Sequence, residues 1–363
     1  MASKILPDGQ YYTTMEYLLT RYDALSRQMG YRASNRDEHR RWQRDLRARL
    51  RQITGIDTML ECPLEPRVTE RVTLDGYVRE RVVIHTEPGV EMPLYVLVPE
   101  DMAAGERRPT VIAPHGHTSG GKFAPAGRRD IPGLVETIEH YNYEYGLQFV
   151  RQGFVVFLPD ARGFGERREW PRQGDADEML LASSCEVLNH MAIPLGQTVT
   201  GMWCWDLMRL IDYVETRPEC DAGRLGCAGL SGGGLQTLWL SALDERIQCA
   251  VVSGYFYGYK DALLRLCANC SCNYVPHLWE LADMGDIGAL IAPRPLLVET
   301  GSLDPLNGER GVVNVAEQLA ITRGAYQMLG VSDRLAHAIF VGEHMWHGEQ
   351  ALPWLVRWLG AEG

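Results

Sequence analysis

The feature that most constrains the fold is a series of short apolar segments from residue 110 onward. Each is four to six residues long, and stretches long enough for helices separate them; they lie at residues 110–114, 154–159, 224–229, 249–254, 295–300 and 338–341. Apolar runs of this length that alternate with helices are typical of a parallel sheet covered by helices on both faces. The sequence therefore predicts an α/β fold with a mostly parallel central sheet.

The residues before this series show two other patterns. Residues 68–98 alternate between apolar and polar positions around turn-forming residues, which predicts antiparallel strands that open the same sheet. Residues 11–56 carry apolar side chains at helical spacing. We therefore expect an N-terminal helical extension over residues 1–60 and a catalytic domain over residues 61–363. Two irregular insertions, about 165–200 and 256–286, are expected to line a pocket at the carboxyl edge of the sheet, where α/β proteins bind ligands.

The strongest local motif is Gly229-Leu230-Ser231-Gly232-Gly233-Gly234, between an apolar run and a helical stretch. A nucleophile on a sharp turn from strand to helix needs small residues two positions before and after it, because larger side chains would collide with the neighbouring backbone. Gly229 and Gly233 meet this need, and no Lys-Ser or Lys-Thr follows the glycines as a phosphate-binding loop requires. The motif indicates a nucleophilic Ser231; a plain glycine-rich loop is the alternative.

A serine nucleophile needs a base, and the base needs an acid to orient it. Asp304 follows the run at 295–300, and His344 follows the run at 338–341. The order Ser, Asp, His, each beyond the end of a strand, is the order of an α/β-hydrolase. His347 is the alternative base and Glu299 the alternative acid.

Two backbone N–H groups should hold the oxyanion that forms on the substrate. We expect one from Gly232, the residue after the nucleophile, and one from His117 in the glycine-containing loop 115–121. His115 and Arg162 are the candidate substrate contacts, although the tight turn that carries Arg162 favours pairing with a carboxylate that braces the loops.

Metal sites are a weaker interpretation of this sequence. His115, His117 and His344 have no acidic residue at ligand spacing. The thiols of residues 267–272 lack a second ligand pair apart from the lone His277, so free thiols are favoured there. We expect no metal and no cofactor.

These motifs carry a resemblance that runs from about residue 68 to residue 359. They are His115-Gly116, Asp160-Ala161-Arg162-Gly163, Gly229-Leu230-Ser231-Gly232-Gly233, Ile291-Ala292-Pro293-Arg294-Pro295, Gly342-Glu343-His344 and Gly348-Glu349. In them the chain resembles the dienelactone-hydrolase-like branch of the α/β-hydrolases, and within it bacterial carboxylesterases similar to acetyl xylan esterases. The resemblance implies the α/β-hydrolase fold and a triad of Ser231, Asp304 and His344.

We therefore expect a serine carboxylesterase that hydrolyses small acyl esters, with acetylated carbohydrates and aromatic esters as candidate substrates. A peptidase or amidase with the same triad and a catalytically silent scaffold are the alternatives. The net charge of −11 argues against nucleic acid as a partner, and no apolar run is long enough to span a membrane. Nine scattered cysteines and the absence of a signal-like start favour reduced thiols and a cytoplasmic location. The oligomeric state, including a homo-oligomer, stays open.

Overall fold

The structure is a computed structural model, and it describes residues 11–174, 176–265 and 269–360. The strands within these residues are β1 (Arg67–Leu74), β2 (Tyr77–Glu87), β3 (Val90–Pro99), β4 (Arg108–Ile112), β5 (Val155–Pro159), β6 (Cys220–Leu230), β7 (Cys249–Ser253), β8 (Leu296–Gly301) and β9 (Leu335–Phe340). They form one sheet in the order β1-β2-β3-β5-β4-β6-β7-β8-β9.

The sheet is antiparallel at one side and parallel over the rest. β1, β2, β3 and β5 pair antiparallel in that order, and every pairing from β5 through β4 to β9 is parallel. The six predicted apolar segments correspond to β4 through β9, so the prediction of an α/β fold with a mostly parallel sheet is confirmed. Because parallel strands end at the same edge, the loops after β4, β6, β8 and β9 meet there.

Helices cover both faces of this sheet. They are α1 (Met15–Leu25), α2 (Arg36–Thr54), α3 (Pro132–Tyr141), α4 (Tyr145–Arg151), α5 (Asp177–Leu181), α6 (Cys185–Ala192), α7 (Val199–Thr216), α8 (Gly232–Leu243), α9 (Leu278–Leu281), α10 (Met284–Ala289), α11 (Val312–Leu329) and α12 (Ala351–Leu359). None of the helices in the described ranges has the length and apolar character needed to cross a bilayer.

The core has two layers because successive side chains of a strand point to opposite faces. In β7, Val252 packs in the layer formed with α2, α7, α8 and α11, and Val251 packs in the layer formed with α3, α4 and α12. All five β7 residues are buried. A strand covered on both sides has no polar face, which explains its continuous apolar sequence.

The N-terminal residues form two helices, as their spacing predicts. The side chain of Asn35 caps α2 by accepting the N–H of Glu38, and Gly55 ends the helix with φ of 79°. Leu46 and Leu50 of α2 are buried in the layer that contains α7. The division of the chain near residue 60 stays a prediction.

Candidate active site

Ser231 lies on a sharp turn between β6 and α8. Its backbone has φ of 60° and ψ of −121°, a region that side-chain-bearing residues rarely adopt. Its N–H donates to the carbonyl of Ser253 at 2.9 Å. A Cβ on Gly229 would lie 2.7 Å from the Pro114 carbonyl oxygen, and one on Gly233 would lie closer still. The turn therefore needs glycine at both positions, for the steric reason that the sequence suggested.

His344 is paired with Asp304. Its Nδ1 lies 2.7 Å from Asp304 Oδ2, and the Asp304 side chain is only 1% exposed. The other carboxylate oxygen accepts the N–H of Leu306 at 2.9 Å. A carboxylate that binds Nδ1–H fixes the imidazole in the tautomer whose Nε2 can accept a proton. The pair therefore has the geometry that a general base and its orienting acid require.

Gly254 connects this pair to the serine turn. A Cβ on Gly254 would lie 2.9 Å from His344 Cε1 and 3.0 Å from a side-chain carbon of Leu230. Leu230 precedes Ser231, and Ser253, which precedes Gly254, accepts the Ser231 N–H. The imidazole and the serine turn therefore pack against the same short backbone segment at the carboxyl edge of the sheet.

The alternative base and acid have other partners. The ring of His347 stacks on Phe340 at 4.6 Å, and its Nε2 lies 3.7 Å from Glu349. Glu299 is buried and accepts the N–H groups of His347 and Gly348 at 3.1 and 2.8 Å. Burial raises the pKa of the Glu299 carboxyl above its ordinary value. Glu299 thus anchors the loop that carries His344.

The loop after β4 brings a second backbone donor to the serine turn. A Cβ on Gly116 would lie 3.0 Å from Ser231 Cβ, and one on Gly232 would lie 3.0 Å from His117 Nδ1. Tyr143 donates its hydroxyl to the His117 carbonyl at 3.0 Å, a contact that sequence reasoning missed. In the part of the chain that the structure describes, the N–H groups of His117 and Gly232 have no protein acceptor. Both are free to bind an oxyanion.

His115 does not fit the expected contact with substrate. It is 1% exposed, its Nε2 accepts the Ala161 N–H at 3.1 Å, and its Nδ1 lies 2.9 Å from the Gly116 carbonyl. Burial lowers the pKa of His115 to about 4, which keeps the ring neutral. Because both ring nitrogens have protein partners, His115 holds the loop and is not available to a ligand.

Arg162 also departs from its assignment to substrate binding. Its Nε and Nη2 bind the two oxygens of Asp206 at 3.0 and 2.7 Å, and Nη2 also lies 2.7 Å from Glu87. The Arg162 carbonyl accepts the indole N–H of Trp203. Burial opposes ionisation of Asp206, but the positive charges of Arg162 and Arg167 outweigh it and lower the pKa of Asp206 to about 2. Arg162 therefore braces the loop after β5, the alternative that its motif also allowed.

The three histidines considered as a metal site from the sequence, His115, His117 and His344, do not form one cluster, because His115 and His344 have the partners described above. Instead, His117 lies beside Cys185, Cys270 and Cys272, with the candidate ligand atoms all within 4.8 Å of one another. Cys185 escaped sequence reasoning, since a single cysteine 85 residues from Cys270 carries no spacing signal. Cys267 lies outside the described residues.

The two insertions contact each other beside this loop. Asn189 in α6 donates to the Ser271 carbonyl at 2.8 Å, which joins the first insertion to the second. The ring of Phe164 lies 5.1 Å from the His117 ring, and the ring of Tyr141 lies 6.2 Å from the His344 ring. Aromatic side chains thus lie on two sides of the candidate site. A substrate pocket lined by the insertions stays a prediction.

Comparison with known proteins identifies the family. The model of the Abhydrolase family matches residues 7–328, a range that includes Ser231 and Asp304 and ends before His344. The chain is 29% identical over 265 residues to the "Putative hydrolase YtaP" of Bacillus subtilis (strain 168), covering 69% of this chain and 79% of that protein. The chain belongs to the Abhydrolase family, and the expectation of a hydrolase is confirmed.

Solved structures share the fold at low sequence identity. A "putative acetyl xylan esterase" of Bacteroides fragilis superposes with a TM-score of 0.76 at 18% identity, covering 98% of this chain and 96% of that one. A glucuronoyl esterase of Solibacter usitatus superposes with a TM-score of 0.64 at 15% identity, covering 91% and 95%. At such identities the likeness shows the α/β-hydrolase fold.

Proposed function

We propose that this member of the Abhydrolase family is a serine carboxylesterase in which Ser231, His344 and Asp304 form the catalytic triad. The observation that carries the proposal is the 2.7 Å bond between His344 Nδ1 and the buried Asp304 carboxylate, at the edge where Ser231 lies on its strained turn. A bond of this kind orients a base.

In the first half of the reaction, Ser231 Oγ attacks the carbonyl carbon of the ester and its proton passes to His344 Nε2. Asp304 stabilises the imidazolium through the bond to Nδ1. The N–H groups of Gly232 and His117 bind the oxyanion of the tetrahedral intermediate. Collapse of the intermediate transfers the proton from His344 to the departing alcohol and leaves an acyl group on Ser231.

In the second half, a water molecule gives its proton to His344 and its oxygen attacks the acyl carbon. The same two N–H groups bind the second oxyanion. His344 then returns the proton to Ser231 Oγ, and the carboxylic acid leaves. The overall reaction consumes one ester and one water.

Small acyl esters of carbohydrates or aromatic alcohols are the proposed substrates. The half-buried ring of Tyr141 lies beside the His344 ring, and an aromatic surface there suits sugar rings and aromatic rings. The net charge of −11 disfavours anionic substrates. The fold shared with an acetyl xylan esterase of Thermoanaerobacterium, at a TM-score of 0.58, supports the carbohydrate alternative.

The test is hydrolysis of p-nitrophenyl esters from acetate to octanoate, followed by acetylated xylo-oligosaccharides. We expect rapid cleavage of the short esters and its loss in Ser231→Ala and His344→Ala, because general base catalysis alone contributes ~10²–10⁴-fold. His347→Ala is the matched control, since its ring stacks on Phe340 away from Asp304.

A fluorophosphonate probe distinguishes the alternatives. Covalent labelling mapped to the Ser231 peptide, with faster cleavage of esters than of matched anilides, would support the esterase. Faster cleavage of the anilides would identify an amidase. A folded protein that neither reacts with the probe nor cleaves either substrate would refute the proposal in favour of a silent scaffold.

A further inference from the structure

Four side chains from three separate segments converge beside the candidate active site. Cys185 is the first residue of α6 in the first insertion, Cys270 and Cys272 belong to the second insertion, and His117 lies in the loop after β4. One sulfur from each cysteine and one ring nitrogen of the histidine lie within 4.8 Å of one another. The cluster is independent of Ser231, His344 and Asp304.

Two distances within the cluster lie close to those around a tetrahedral ion. Zn–S bonds of about 2.3 Å and Zn–N bonds of about 2.0 Å place two sulfurs roughly 3.8 Å apart, and a sulfur and a nitrogen roughly 3.5 Å apart. The sulfurs of Cys185 and Cys270 are 3.3 Å apart, and Cys272 Sγ lies 3.8 Å from His117 Nε2. A disulfide would require about 2.05 Å between sulfurs, so Cys185 and Cys270 are unbonded thiols.

The surroundings of the cluster fit thiolate ligands. Cys185 and Cys272 are buried, and Asn273 donates its Nδ2 to the Cys270 carbonyl at 3.0 Å and lies 3.6 Å from Cys272 Sγ. The hydroxyl of Tyr255 in turn donates to Asn273 Oδ1 at 2.8 Å. These hydrogen bonds hold the loop of Cys270 and Cys272 in place, as hydrogen bonds from surrounding residues hold the ligands of metal sites.

We propose that Cys185, Cys270, Cys272 and His117 bind one structural zinc ion. Three thiolates and an imidazole form the closed four-ligand set of structural zinc sites. Soft sulfur ligands in tetrahedral geometry select Zn²⁺ over oxygen-preferring ions. The ion would tie both insertions to the loop that carries the His117 N–H. Only the effect of the ion on the His117 N–H rests on the proposed esterase function.

The test begins with the full chain, purified under reducing conditions without chelator or metal-affinity resin. We expect mass spectrometry of the metals to find about one zinc per chain, as a four-ligand site requires. After removal of zinc by a chelator, Co²⁺ should restore the visible bands of tetrahedral cobalt and a thiolate-to-cobalt charge-transfer band. These measurements need no variant, so they stand even where a substitution prevents folding.

Variants and thiol labelling then assign the ligands. Cys272→Ser and His117→Gln should leave the protein with substoichiometric zinc, whereas Cys62→Ser, which changes a half-buried thiol outside the cluster, should retain it. Iodoacetamide should modify Cys270, the half-buried thiol of the cluster, only after zinc is removed.

Several results would overturn the assignment. These are a reduced wild-type protein that neither contains nor takes up Zn²⁺ or Co²⁺, stoichiometric iron or copper in place of zinc, or a persistent disulfide between Cys185 and Cys270. Stoichiometric zinc in a protein without esterase activity would refute the proposed function and leave the metal site intact.

Discussion

Replacing Asp304 by asparagine tests whether its carboxylate orients the proposed base, His344, or only supports the fold. In Asp304→Asn, the retained Oδ1 can still accept the Leu306 N–H, so the turn keeps its cap. The amide Nδ2 replaces the oxygen that lies 2.7 Å from His344 Nδ1. Two donors then face each other, and the ring takes the tautomer with its proton on Nε2. In that form it cannot accept the proton of Ser231.

The magnitude follows from the bond that is lost. A hydrogen bond to a charged group contributes roughly 1.5–3 kcal/mol, which at about 1.4 kcal/mol per decade is a 10- to 100-fold loss of rate. The wrong tautomer adds to this loss, and the same exchange in other triads lowers kcat on the order of 10⁴-fold. We therefore expect kcat for p-nitrophenyl acetate to fall by roughly 10²- to 10⁴-fold with little change in KM.

Glu299→Gln is the matched control for this exchange. The Glu299 carboxylate accepts the N–H groups of His347 and Gly348 and the hydroxyl of Ser253. Glutamine offers one acceptor oxygen instead of two, so at least one buried donor loses its partner at a cost of roughly 1–3 kcal/mol. Urea unfolding should report this loss of stability, with turnover close to that of the wild type.

The opposite pair of results would refute the assignment of the acid. If Asp304→Asn kept its turnover, and folded Glu299→Gln lost it, Glu299 would be the residue that orients the base.

Four further predictions concern packing and charge. Gly233→Ala should prevent folding or strongly lower the thermal unfolding temperature, because its Cβ would collide with the Pro114 carbonyl. Gly324→Ala, in α11 with its nearest non-local atom at 3.8 Å, should instead stabilise the protein by roughly 0.5–1 kcal/mol. Arg162→Met should lower the free energy of unfolding by roughly 1–3 kcal/mol, because Glu87 loses its cation and Asp206 keeps only Arg167; a raised KM for short esters at unchanged stability would restore Arg162 to substrate binding. Burial lowers the pKa of His337 to about 4, so between pH 6.5 and about 4 the unfolded chain binds a proton that the folded protein does not. The contribution of His337 to stability is therefore complete above pH 6.5 and declines as the pH falls through this window. Urea unfolding at each pH should show that the free energy of unfolding declines less steeply in His337→Gln than in the wild type. Equal declines in the two proteins would contradict the assignment to His337.

The fold and the positions around the nucleophile follow from local sequence. Continuous apolar runs predicted buried parallel strands, because a strand covered on both faces has no polar side. Gly229 and Gly233 around Ser231 predicted the strained turn, because the steric requirement lies within a few residues of the nucleophile. The ends of β8 and β9 likewise limited the acid and the base to a few candidates.

Other features of the site required the tertiary structure. His344 and His347 are three residues apart, and only the folded loop shows which ring lies against Asp304. His115 and Arg162 appeared available to substrate until their buried protein partners were known.

The cysteine cluster shows the same limit most clearly. Cys270 and Cys272 are close in sequence, but Cys185 and His117 reach them from distant segments. Burial patterns and steric limits are encoded by neighbours along the chain, so the sequence alone determined the sheet, the serine turn and the order of the candidate triad. The pairing of side chains across loops depends on how the whole chain packs, so only the tertiary structure decided which acid meets which base and which thiols meet.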